Sequence, residues 1–247
     1  MCTICWALVL LSAVWVHAGD RTPGSHDNGG APQALMPSPA ERPGASGPRH
    51  MALADPSLAS TPEKRQQLTY LIRCALPADI VVYAEDGPDR WTFPGQMGLA
   101  PRWLFAAMTP SEERWVSACL LAHVNYFGTQ VKVSMRAHEP PVPALAADVA
   151  EHQTFSIFEG GFFGNLFTAT PVAYVCRGDR TPSQEADPIL HVRICTQDTG
   201  ATTPAGLPIT PCRFAVTGAC ADPRSVTVEG TPYTEVVFTY LRPTPPE

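Results

Sequence analysis

The chain has 247 residues, with 17 basic and 23 acidic side chains for a formal net charge of −6, and 45% of its residues are apolar. That apolar content supplies a core and excludes a wholly disordered chain. Only two lysines occur, Lys64 and Lys132, so there is no basic patch to neutralise phosphate, and nucleic acid is not an expected partner.

Residues 1–18, MCTICWALVLLSAVWVHA, carry no charged side chain and hold an apolar run from Ile4 to Val16 that ends in Val16, His17 and Ala18. A run of this length matches the core of a signal peptide and falls short of the roughly 20 residues needed to span a bilayer. Export with cleavage after Ala18 is expected, leaving no transmembrane segment in the mature chain; an uncleaved anchor is the alternative. Residues 19–60 hold seven prolines and no Phe, Trp or Tyr. A stretch so poor in burial surface cannot offset its ordering entropy, which predicts a disordered Pro/Gly/Ala-rich tether. The folded domain is then expected at 61–242, with possible lobes at 61–138 and 147–242.

Within that domain Thr61, Pro62 and Glu63 form a helix start of N-cap, first-turn proline and acid. Leu68, Leu71, Ile72, Ala75 and Leu76 follow at helical spacing, and Pro77 stops the helix. Ile80 to Ala84 and Trp91 to Phe93 flank Asp86-Gly87-Pro88-Asp89 as a hairpin, and Pro101 to Ala107 suit a short helix. Thr109 to Glu112 spell a capping box, and the apolar face behind it, from Trp115 to Phe127, predicts a helix ended by Gly128. Val131, Val133 and Met135 then alternate as a strand does. Prolines 140, 141 and 143 break the chain before a short helix near 146–152. Strands are expected at 155–158, 162–168, 172–176, 189–195, 212–218, 225–229 and 234–241. The sum is an α+β fold: two N-terminal helices with a hairpin, packed on a mainly antiparallel β-sheet region and stapled by disulfides.

Removing 1–18 leaves six cysteines, and in an oxidising compartment an even count predicts a disulfide framework. Cys74 and Cys119 each sit among the apolar residues of a helix, so a bridge between packed helices is expected. In a meander of 172–176, 189–195 and 212–218, Cys195 and Cys212 meet at the base of one loop. Cys176 and Cys220 meet at the other end of that sheet, whereas Cys176 and Cys195 would lie beyond disulfide reach.

Candidate catalytic residues are Glu159, His123 and Cys119. Cys119 and His123, four apart on one helix, can face the same way as a thiolate and its base; a bridged cysteine beside a half-buried histidine is the competing reading. Asp148, Glu151 and Glu159 supply carboxylates of the type that glycoside chemistry pairs. His138, His152 and His191 are scattered without metal-ligand spacing, so no metal is expected. No nucleotide or cofactor motif occurs, and no cofactor is expected. The string Glu159 to Phe167, EGGFFGNLF, supports two readings. Phe162, Phe163 and Asn165 can form a ligand-binding rim, or the glycines can build a bulged strand whose phenylalanines fill the core.

Taken together, LIRCALP at 71–77, WTFPG at 91–95, RWVSACLLA at 114–122 and EGGFFGNLF at 159–167 resemble a family of exported, cysteine-containing bacterial proteins. The resemblance covers roughly residues 65–180 and implies export and a shared fold, with no activity attached. The expected function is a secreted or periplasmic, disulfide-stabilised binding or structural module whose partner is a protein or cell-surface component. A secreted hydrolase with its site near Glu159 or Cys119 and His123 is the alternative.

Overall fold

The computed structural model describes residues 35–37, 49–53, 55–127, 131–193, 195–197, 199–220 and 226–245. Its architecture is mixed α+β with mostly antiparallel sheets and three disulfides. No helix among the described residues is long and apolar enough to cross a membrane. The expected leader at 1–18 and most of the expected tether lie outside the described residues.

Two compact units make up the chain, one ending at Val116 and the other starting at Ser117. β5 (Val133–Arg136), which precedes the proline cluster, pairs with β11 (Val237–Leu241) near the C-terminus, both in the second unit.

The first unit holds a four-stranded sheet, β1 (Leu35–Pro37), β2 (Arg49–Leu53), β3 (Ile80–Asp86) and β4 (Asp89–Pro94), in that order. β2 runs parallel to β3, with Arg49 opposite Ile80, and buries Met51 and Leu53. Within the segment expected as a tether, residues 49–53 thus form a strand and 56–59 a 3₁₀ turn. Pairing with a strand some 30 residues away satisfies this backbone, and the local composition carries no trace of that partner. β3 and β4 form the expected hairpin, with Gly87 at φ 60° in its turn.

Helix α1 (Pro62–Ala75) starts where expected: the Thr61 hydroxyl accepts from the Lys64 N–H at 3.3 Å. Its end is closed by neighbouring chain. The last carbonyls of a helix have no partner within it, and here the N–H groups of residues 96–100 supply them. Gln96 and Gly98 donate to Leu76, Met97 to Arg73, Leu99 to Cys74 and Ala100 to Ala75, at 2.8 to 3.1 Å. Gly95 allows this approach, because a Cβ there would collide with the Pro77 carbonyl oxygen. LIRCALP thus ends in a lock closed by residues 96–100, which the final glycine of WTFPG lets approach. Residues 101–104 form a single 3₁₀ turn.

Helix α2 (Pro110–Ala122) carries the capping box in full: Glu112 N–H donates to the Thr109 hydroxyl at 3.2 Å, and Thr109 N–H donates to the Glu112 carboxylate at 2.7 Å. It stops at Ala122 rather than running to Phe127. Asn125 is buried and accepts from the Phe127 N–H at 2.8 Å in a turn that replaces the helical pattern.

In the second unit a five-stranded sheet has the order β5, β11, β6 (Ile157–Asn165), β7 (Val172–Arg177), β8 (Ala215–Ala219). Only β7 and β8 are parallel. The short helix α3 (Val149–Thr154) precedes β6, α4 (Pro182–Glu185) and α5 (Pro188–Arg193) follow β7, and β9 (Val226–Val228) pairs with β10 (Thr231–Tyr233). Two expectations are corrected. Residues 157–165 form one continuous strand, β6, where separate strands at 155–158 and 162–168 were expected, and residues 189–193 lie in helix α5 rather than in the strand expected at 189–195. Asp187 caps α5, accepting from the Ile189 N–H at 2.9 Å, and Pro188 opens it, so a start signal overrode the β-branched run behind it.

Candidate functional site

The EGGFFGNLF segment is the central strand of the second unit, hydrogen-bonded to β11 on one side and β7 on the other. Its glycines are demanded by close approach. A Cβ on Gly161 would lie 2.8 Å from the Cys176 Sγ and 2.9 Å from the Phe238 ring, and one on Gly160 would strike the Cys176 carbonyl oxygen. Phe162 and Phe163 point to opposite faces and are both fully buried. Phe162 meets Phe214 edge to face, with ring centres 6.0 Å apart. Phe163 joins Cys176, Val228, Tyr233, Val236 and Phe238 in one core cluster. Asn165 is buried and accepts from the Phe167 N–H at 2.9 Å. The three residues expected at a ligand rim thus occupy core positions, as in the bulged-strand reading of the same string.

Glu159 sits at the bulge. Gly160 pairs with Thr239 and Phe158 with Tyr240, which leaves Glu159 without an opposite residue on β11 and lets its side chain turn inward. Glu159 is 1% exposed. One carboxylate oxygen accepts from Arg193 Nε at 2.8 Å and the other from the Thr239 hydroxyl at 2.7 Å. Arg193, equally buried, donates through its second arm to the Ala122 carbonyl at 2.7 Å. A guanidinium and a carboxylate therefore neutralise each other inside the unit, with their hydrogen bonds spent on protein partners. Arg180 reinforces the bulge from outside, donating to the carbonyl oxygens of Phe158 and Glu159. Arg193 escaped sequence reasoning because its segment was read as a strand.

His123 follows the last turn of α2. Its Nδ1 lies 2.8 Å from the Cys119 carbonyl oxygen and 3.8 Å from the Cys119 sulfur. That sulfur belongs to a disulfide, so no thiolate is present for the imidazole to activate. The remaining nominated side chains do not converge on Glu159's carboxylate. Asp148 caps α3, accepting from the Glu151 N–H at 2.7 Å. His152 accepts from Arg136 Nη1 at 2.7 Å, His191 pairs with Gln197 at 3.2 Å, and His138 is exposed. Arg136 also stacks over Tyr240 at 3.9 Å, and burial pushes its pKa below the usual arginine value.

All six described cysteines are oxidised. Cys176 bonds to Cys220 and Cys195 to Cys212, with Cα separations of 5.0 and 5.1 Å. The expected pairs form on a different frame. β7 and β8 are parallel neighbours, so Cys176 at the end of one reaches Cys220 just past the end of the other, with no third strand between them. In the chain-entropy model, the loops of 44 and 17 residues are worth about 4 and about 3 kcal/mol.

A concave surface lies elsewhere in the second unit. It encloses about 330 Å³ between the start of β7, the 203–209 loop, Arg213 and the β9–β10 turn, and its lining includes Val172, Tyr174, Pro204, Leu207 and Glu229. Burial, then the neighbouring Tyr233 and Glu229, push the Tyr174 phenol above its ordinary pKa. None of these residues stood out in the sequence, since Glu229 was read as the end of a strand and Arg213 as the start of one.

No family model, no curated protein and no solved structure matches this chain.

Proposed function

We infer that the protein is a secreted or periplasmic module that binds a protein or cell-surface component and performs no chemistry through Glu159 or Cys119. The single observation that carries this reading is the engagement of Glu159, whose two carboxylate oxygens are occupied by Arg193 and Thr239 in a buried pair. A general acid or nucleophile needs an oxygen directed at substrate. The three disulfides support an oxidising compartment and a rigid scaffold.

The test uses the full chain exported from a bacterial host. Fluorescently labelled protein is titrated onto isolated cell envelope, and the same preparation is assayed on ester, peptide and glycoside substrates. Saturable retention displaced by unlabelled protein, with no turnover, is the expected result. Turnover abolished by His123→Ala or Glu159→Gln in variants with unchanged circular dichroism would replace the module reading with the hydrolase.

A further inference from the structure

Among the described residues, two that are not glycine adopt left-handed backbone: Arg213 at φ 65° and Glu229 at φ 49°. Both line the same 330 Å³ groove, from different loops. Each stands where a turn favours glycine or asparagine. Glu229 and Gly230, at φ 49° and 79°, form the two-residue connection between β9 and β10, which prefers Asn-Gly. Arg213 closes the turn in which its N–H donates to the Thr210 carbonyl and the Phe214 N–H donates to the Thr210 hydroxyl. Their local cost is unrepaid within the fold, because both side chains are exposed and neither has a hydrogen-bond or ion-pair partner among the described residues. Residues that break a local rule twice at one concavity mark a site.

We propose that this groove binds a short apolar peptide with free termini. The wall formed by Val172, Pro204, Leu207 and the Tyr174 ring takes apolar side chains, Arg213 pairs with the terminal carboxylate and Glu229 with the terminal ammonium. Charge complementarity selects this occupant: two opposite charges, Arg213 and Glu229, line one groove together with apolar residues, which matches a zwitterion with an apolar body. The volume lies at the small end of the range of ~300–1,000 Å³ for ligand pockets, which limits the ligand to about two or three residues. The proposal deepens the binding-module reading and rests on it.

The probe is the dipeptide Leu-Phe, titrated calorimetrically into the full oxidised chain beside its N-acetyl, C-amide analogue. Saturable binding of the zwitterion is expected, with the capped analogue about tenfold weaker or worse. Arg213→Gly and Glu229→Gly should each weaken Leu-Phe at least about tenfold while the Tm stays the same or rises, because glycine relieves the left-handed backbone. Arg213→Gln, which keeps the stem and the backbone conformation, should show the same loss. No saturable binding, equal binding of the capped peptide, or wild-type affinity in the variants would overturn the assignment. Such a failure leaves envelope retention intact, whereas failure of the module reading removes retention itself.

Discussion

Replacing Glu159 with Ala separates a structural carboxylate from a catalytic one. The side chains of Glu159 and Arg193 are 2% and 3% exposed and meet at 2.8 Å. Truncation leaves the guanidinium buried with only the Ala122 carbonyl as partner, and removes the acceptor of the Thr239 hydroxyl, whose other contact is a longer one to the Gly160 carbonyl at 3.4 Å. An uncompensated buried charge of this kind costs about 3–5 kcal/mol. The double variant Glu159→Leu with Arg193→Met removes both charges from the interior, and is expected to recover most of that loss, ending within about 1–2 kcal/mol of the wild type. Urea unfolding of the oxidised protein, followed by far-UV circular dichroism, reads both quantities. A single variant that loses less than about 1 kcal/mol, or a double variant no more stable than the single, would refute the buried-pair reasoning.

Gly161→Ala should destabilise the protein by about 1–3 kcal/mol, since the new methyl group meets the Cys176 sulfur and the Phe238 ring below 3 Å; thermal unfolding checks it, and an unchanged Tm would contradict the close approach at Gly161. Asp187 is held below the usual aspartate value of 3.8: burial opposes this, but hydrogen bonds from the Thr244 hydroxyl and from the Ile189 and Thr244 N–H groups outweigh it. Because the folded pKa is depressed, the contribution is fully present above about pH 3.8 and disappears as pH falls through the lower folded value. Amide exchange at Thr244 should therefore quicken in acid, and Asp187→Asn should remove that pH dependence.

Local signals were readable wherever one residue type has one structural use. Thr61-Pro62-Glu63 and the Thr109–Glu112 box start helices within a residue of where the pattern puts them. Asp86-Gly87 sits in the hairpin turn. What escaped depends on partners distant in sequence. Met51 and Leu53 alternate over too few residues to declare a strand, and β2 forms because β3 offers an edge. Ile189 to Val192 looks like a strand, yet the Asp187 cap and Pro188 decide for helix, and with the helix comes the placement of Arg193 against Glu159. The pairing of Cys176 with Cys220 needed only that both lie at one end of a sheet, a condition met equally by parallel neighbours and by the meander expected from the sequence. The groove was invisible because its two charged residues occupy turn positions, where sequence patterns assign glycine or asparagine.

The most direct test of a stapled, noncatalytic module is alkylation of the exported chain with a thiol reagent under denaturing, non-reducing conditions, followed by peptide mass mapping. The expected result is no alkylated cysteine among the six, with linked peptides joining Cys176 to Cys220 and Cys195 to Cys212. An alkylated Cys119, free beside His123, or a peptide joining Cys176 to Cys195, would contradict it.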